Sequence, residues 1–377
     1  MNRRRAVSSI VLTAVLLSLG ACRSTRTSGN VNIGAILPLS GDNASFGITA
    51  RNAYQIAEED ARQEGRTSFT LVYGDSKLDK GLALAEYGRL VNQHHVVGFI
   101  EATGSGIALA LADMAARDQV PIISAVDTSP LLTSRGGPFF FRVVPSDAYS
   151  SKVLSAWAME KGLKSAVLVF NQQNDWAVGF KNAVLLSYRE EGGSLPDNAV
   201  LPVTDDVVDF NSAIATLQKM APRAWFVGLM GRQAGLFVRQ SVSRGIKGPF
   251  LGVDNLAQQE FVDAAGAGKT DAWFVLPTEV KSAAVSKFAA RYRQLFQRDP
   301  DSLAFKAYDA YFVMLNAVET IKKSGQPVTG AALQRQLKAT NFPGITGTIQ
   351  FDQHDDLLKA DYQRLTYDAE SQKVPVQ

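Results

Sequence analysis

With 377 residues, 46% of them hydrophobic, and one cysteine, the chain is long enough for two domains and can form no internal disulfide. Its formal charge of +3 is too small to attract nucleic acid, and three histidines leave little room for hydrolytic or metal chemistry. Whatever the chain does therefore rests on its core and on a small number of polar groups.

The N-terminus is read first. Arg3, Arg4 and Arg5 precede a largely apolar run from Ala6 to Leu19, and Gly20-Ala21 leads into Cys22. A basic start, a short apolar stretch and small residues before a cut describe an export signal over 1–21, too short to span a membrane as a helix. Leu19-Gly20-Ala21-Cys22 resembles the lipobox of bacterial lipoproteins, in which the thiol is lipidated and becomes the new first residue. Cleavage there removes three arginines and no acid, so the charge of the mature chain falls from +3 to zero. Arg23, where an aspartate would favour retention in the inner membrane, favours outer-membrane anchoring. Residues 22–30 form a polar Ser/Thr/Arg tether.

From Val31 onward short apolar runs alternate with amphipathic stretches, the pattern of parallel sheets with helices on both faces. The runs Val31 to Leu37, Phe69 to Tyr73, Val96 to Ile100, Pro121 to Ser124, Ala166 to Phe170, Ala224 to Leu229, Phe250 to Val253 and Trp273 to Leu276 predict strands. Ala50, Ala53, Tyr54, Ala57 and Ala61 recur at helical spacing, as do Leu82, Ala85, Leu90 and Val91. Val285, Phe288, Ala289, Tyr292, Leu295 and Phe296 line one face of a later helix. Asp301 or Ser302 caps a longer one that runs to Ile321. Thr348 to Phe351 and Tyr362 to Tyr367 predict two closing strands. So many βα units suit two open, doubly wound parallel sheets, with ligand beyond the carboxyl ends of the strands.

Ile36-Leu37-Pro38-Leu39-Ser40-Gly41 with Phe46-Gly47 resembles the opening of the branched-chain amino-acid-binding family of periplasmic substrate-binding proteins. Further pieces follow in the family's order: Asp75-Ser76 with Lys80, Ser124 to Thr133, Phe141 to Asp147, Asn171 to Gly193, Phe250 to Asp254, Ala307 to Ala310 and Gly347 to Asp352. The resemblance implies two lobes joined by three crossings, a type 1 periplasmic binding protein. The first lobe would hold 31–143 and 278–348, the second 144–277 and 349–377, with crossings at Arg142 to Pro145, Leu276 to Pro277 and Gly347 to Phe351. It also implies hinge closure on a ligand, a movement for which this family is a standard example.

A free amino acid carries a carboxylate and an ammonium, and both need partners once buried. By resemblance the carboxylate meets the Thr128 hydroxyl, backbone groups from Val126 to Thr128 and a serine after the third strand, and the ammonium meets Asp254. Each residue also has a plainer reading, Thr128 as a turn former and Asp254 as the cap of a helix near Ala257. One loop departs from the family pattern. Gly98 is followed by Phe99-Ile100-Glu101-Ala102-Thr103-Gly104-Ser105-Gly106, so simple counting puts Ala102 where the family has its serine. Matching Ser105 instead requires an insertion, and that frame is preferred because Ser105 also suits an anion-binding helix start, although it could equally be a cap. Glu101 and Asp127 are extra acids near the cleft, explained by a cationic ligand group or by a solvated rim. Phe46 and Trp176 occupy positions where the family packs aromatics over the bound side chain, though core packing is the usual fate of such residues.

Other motifs fail. Gly268-Lys269-Thr270 imitates the end of a phosphate loop, but Asp263 stands where its first glycine belongs. No cofactor, metal ligand set or nucleophile elbow is found, so no enzyme is expected. The leading expectation is a monomeric solute-binding lipoprotein of an ATP-driven importer, on the periplasmic face of a bacterial membrane. It would capture an amino acid or similar amphoteric molecule for an inner-membrane ABC permease. The alternative is a regulatory lipoprotein of the same fold that contacts a cell-wall synthase, as penicillin-binding protein activators do. Replacing Cys22 by Ser is expected to release the protein from the membrane fraction or to block processing; unchanged fractionation and mass would refute the anchor.

Overall fold

A computed structural model describes residues 31–376 apart from 42, 43, 267, 269 and 279. The export signal, Cys22 and the tether lie outside the described residues. The chain builds the two expected parallel-sheet lobes. In the first, β1 (Asn32–Leu37), β2 (Thr70–Asp75), β3 (Phe99–Glu101), β4 (Ile122–Ser124) and β5 (Phe140–Arg142) form an all-parallel sheet in the order 2-1-3-4-5. Helices α1 (Ala44–Gln63), α2 (Lys80–His94), α3 (Ser105–Asp118) and α4 (Pro130–Arg135) connect these strands.

The chain then passes to the second lobe. It adds α5 (Asp147–Glu160), β6 (Ala166–Asn171), α6 (Asp175–Glu190), β7 (Val200–Val203), α7 (Asn211–Gln218), β8 (Ala224–Gly228), α8 (Gly231–Ser243), β9 (Phe250–Gly252), α9 (Gln259–Ala265) and β10 (Ala272–Pro277). It returns to the first lobe for α10 (Ala283–Phe296), α11 (Ser302–Lys323), α12 (Gly330–Lys338) and a hairpin of β11 (Asn341–Gly344) and β12 (Gly347–Gln350). Last come β13 (Tyr362–Tyr367) and β14 (Lys373–Pro375), which join the second sheet antiparallel beside β10. That sheet runs 14-13-10-9-8-6-7.

Each apolar run read as a strand is one, because a strand covered on both faces must be apolar throughout. In β1, Ile33, Ala35 and Leu37 join the core with α1 and α11, while Ile36 points to the opposite core with Phe99 and α2. Glycine at 34 is a packing requirement, since a Cβ there would lie 2.3 Å from the Phe99 ring. The strands the pattern did not predict are short or marginal. β7 is an edge strand interrupted by Pro202, tolerable only at an edge. β5 ends in Arg142, a charge that broke its apolar run.

The passages between lobes are short. The first is 143–146, between β5 and the Ser146 cap of α5, and the second is 278–282. For the third, Ile349 and Leu357 still pack in the first core and β13 starts at Tyr362, so the chain changes lobe at 358–361, beyond the Gly347 to Phe351 segment that resembles a crossing. That segment instead pairs with β11 and turns Ile349 inward.

Arg142, wholly buried, stands where the first and third connections meet. Its Nε donates to Asp356 Oδ1 at 2.6 Å, Nη1 to the carbonyls of Asp127 and Ser129 at 3.1 and 2.9 Å, and Nη2 to Thr133 Oγ1 at 2.7 Å. Thr133 in turn donates to Asp356 Oδ2 at 2.6 Å. Removing one partner of a buried pair strands the other charge. Asp356→Ala is therefore expected to cost about 3–5 kcal/mol in urea unfolding. Asp299→Ala, which breaks the exposed 2.8 Å pair with Arg293, should stay within about 1 kcal/mol.

Candidate functional site

The residues after β3 and β4 supply the first-lobe side of the contact between the lobes. After Glu101 the chain makes a tight bend through Gly104, whose φ of +95° favours glycine, and enters α3 at Ser105. Gly104 takes the N-cap position, so Ser105 is not the cap; its buried hydroxyl instead accepts a bond from Ser129 N at 3.3 Å. After β4, Ser124 Oγ accepts from the backbone of Val126 at 3.2 Å and Asp127 at 3.0 Å, which commits two of the backbone groups expected to meet a carboxylate. Thr128 Oγ1 crosses the cleft and donates to Asp147 Oδ2 at 2.6 Å, while Asp147 N donates back to the Thr128 carbonyl at 2.8 Å.

The second-lobe side comes from the first turns of α5 and α6 and the end of β9. Asp147 in α5 is 4% exposed, accepts from Trp176 Nε1 at 2.7 Å as well as from Thr128, and takes the Ser150 hydroxyl at 2.8 Å on its other oxygen. Burial raises its carboxyl above the usual range, against the pull of those donors. Trp176 lies within α6, buried and stacked on Phe180 with centroids 5.4 Å apart. Phe46, in α1, is half-buried and packs on the first core. The lobes touch closely here. Ser129 Oγ donates to the Asp175 carbonyl at 3.3 Å, and a Cβ at Gly179 of α6 would come within 2.4 Å of that same hydroxyl.

Asp254 follows β9 in a single 3-10 turn. It caps no helix by its side chain; α9 begins later, after Gln258. Its Oδ1 is shut from water and has no hydrogen-bond partner. Burial, with the nearby charge of Asp147 added, raises its carboxyl to about 7. Tyr362 of β13 also has an unpartnered buried hydroxyl, and its pKa is raised by burial and then by Asp147, with Asp254 contributing.

Thr128, Trp176 and Asp254 thus gather around Asp147, a residue not singled out from the sequence. The signal for it was Ser146 capping a helix immediately after a lobe crossing. Glu101 and Asp127 are buried, at 0% and 1% exposure, which overturns their reading as solvated rim acids. Two cavities of about 190 and 140 Å³ lie in the first lobe around Tyr308 and Ile345, and none of the predicted site residues lines them. Among the described residues no cluster of His, Cys, Asp or Glu could hold a metal ion.

Residues 30–371 match the family model described as periplasmic binding protein. The chain belongs to this family. Periplasmic binding proteins bind solutes and carry out no reaction. The chain is 23% identical over 357 residues, 93% of each chain, to a leucine-, isoleucine-, valine-, threonine- and alanine-binding protein of Pseudomonas aeruginosa. Among solved structures it is similar to a leucine-binding protein of Thermotoga maritima, with a TM-score of 0.79 and 24% identity over 92% of this chain and 98% of that one. A branched-chain amino-acid transporter substrate-binding protein of Streptococcus pneumoniae, in complex with isoleucine, gives a TM-score of 0.75 and 25% identity over 92% of this chain and all of that one.

A carboxyl raised on folding supports the fold below the ordinary carboxylate range and withdraws that support as pH climbs toward the raised value. For ligand-free protein the window set by Asp254 is therefore from about pH 4 to about 7. Asp254→Asn should flatten that part of the curve of melting temperature against pH and raise stability at about pH 8 by on the order of 1 kcal/mol or more.

Proposed function

We propose that this periplasmic binding protein is the solute-binding lipoprotein of an ATP-driven importer, anchored through Cys22, that captures an amino acid or similar small amphoteric molecule between its lobes. The observation that carries the reading is Asp254 Oδ1, a buried acceptor in the cleft with no protein donor. An unpaired buried carboxylate is costly, so its site is completed by a ligand cation. The names of the relatives in Pseudomonas aeruginosa and Streptococcus pneumoniae support an amino acid. On this reading the ligand carboxylate meets the Ser105 hydroxyl, whose proton is free while its oxygen accepts from Ser129. The Thr128 hydroxyl, bonded to Asp147, braces the lobes against each other.

A thermal-shift screen of the protein against amino acids should find a ligand that, at 100 times its dissociation constant, stabilises by about 2.7 kcal/mol. With that ligand, calorimetry on Asp254→Asn should show at least about a thirtyfold loss of affinity. A variant within about threefold of the parent would refute the ammonium contact, and a silent screen would refute the amino-acid reading.

A further inference from the structure

Glu101 and Asp127 are two buried acids that the ligand reading leaves without work. Glu101 is the last residue of β3, and Asp127 stands in the loop after β4. One oxygen of each is satisfied by a hydroxyl: Thr103 Oγ1 donates to Glu101 Oε2 at 2.6 Å, and Ser124 Oγ to Asp127 Oδ2 at 2.7 Å. The remaining oxygens, Glu101 Oε1 and Asp127 Oδ1, are shut from water and have no donor. Glu101 pairs in register with Ser124 of the adjacent strand, whose hydroxyl holds Asp127, so the two carboxyl groups lie beside one another. Two ionised carboxylates side by side repel strongly in a dry interior.

The surroundings do not relieve the repulsion. Tyr54 of α1 brings a neutral phenol near Glu101, and Thr103, Ser124 and the Gly104 backbone are neutral too. Arg142 of β5 is the cation that faces Asp127, but its charge is paired with Asp356 and it bonds to the carbonyl of Asp127, not to the carboxylate. Burial, followed by the charge of Asp127, pushes Glu101 well above the usual carboxyl range, and burial raises Asp127 as well.

We propose that Glu101 and Asp127 hold one proton between Oε1 and Oδ1, and that this bond positions the two loops that carry Ser105 and Thr128. Glu101 lies four residues before Ser105, and Asp127 directly precedes Thr128. The same loops are stitched by Ala125 N to the Glu101 carbonyl at 3.1 Å and by Ser129 N to Ser105 Oγ at 3.3 Å. The positioning role rests on the ligand reading given above; the shared proton does not.

Glu101→Gln tests it, since the amide donates a fixed hydrogen where the shared proton stood. Between the ordinary carboxyl range and the raised value, the folded chain keeps a proton that the unfolded chain releases, so its stability falls as pH rises. The parent melting temperature should drop by about 2 °C or more per pH unit from about pH 5 to about pH 8, and Glu101→Gln should lose a clear part of that slope. The other raised carboxyls, Asp254 at about 7 and Asp355 at about 6 among them, are common to both proteins, so the difference between the curves reports the pair. Asp127→Asn gives the same comparison from the other side and serves if Glu101→Gln does not fold. Parallel curves for parent and variant would overturn the shared proton. For the positioning role the probe is L-leucine: Glu101→Gln should hold the parent's affinity at about pH 6, whereas Glu101→Ala should lose about tenfold. Equal affinity in Glu101→Ala would overturn the positioning role, and a parent that ignores leucine while the pH curves diverge would count against the ligand reading and leave the shared proton standing.

Discussion

The guanidinium of Arg142 meets no water, and its hydrogen bonds fix much of what surrounds the cleft on the first-lobe side. It holds the carbonyls of Asp127 and Ser129, and with them the loop that carries Thr128 across to Asp147. Through Asp356 it ties that loop to the approach to the third passage between the lobes. The second passage joins the third by the bond from Thr278 N to the Asp361 carbonyl at 2.7 Å. A planar donor fork suits this job, because it can satisfy a carboxylate and several fixed carbonyls at once from one position.

The cost of that arrangement is a crowd of acids with little cationic charge beside them. Asp147, Asp254, Glu101 and Asp127 all have raised carboxyl pKa values, and in each the largest cause is the loss of water. The fold treats them differently. Asp147 is saturated with neutral donors from both lobes, whereas Glu101, Asp127 and Asp254 each keep one buried oxygen with no donor.

The aromatic residues follow the same division. Trp176 gives its indole N–H to Asp147 and its face to Phe180, so its ring belongs to the second core and its polar edge to the cleft. Gly179, one turn further along α6, lets that helix approach Ser129 closely enough for a hydrogen bond between the lobes. The contact between the lobes thus depends on a missing side chain as much as on the ones present.

The sequence by itself determined the two parallel sheets, because a strand buried on both faces must be an apolar run and a helix on a sheet must repeat at its own period; the order in which the chain visits them came from the family resemblance. By family resemblance it also pointed to Ser105, Thr128 and Asp254 beyond the ends of strands, where an α/β cleft lies, but it read Trp176 as a loop residue, whereas the structure puts it inside α6. The tertiary structure decided the rest. Asp147 emerged as the hub because Thr128 and Trp176, far apart in the chain, converge on it; Glu101 and Asp127 became an isolated pair because adjacent parallel strands end side by side. β7 and β5 escaped the pattern because Pro202 and Arg142 break apolar runs whose pairing only the sheet makes plain. Periodicity is a local property that a sequence displays, whereas the partner of a buried charge is chosen by packing.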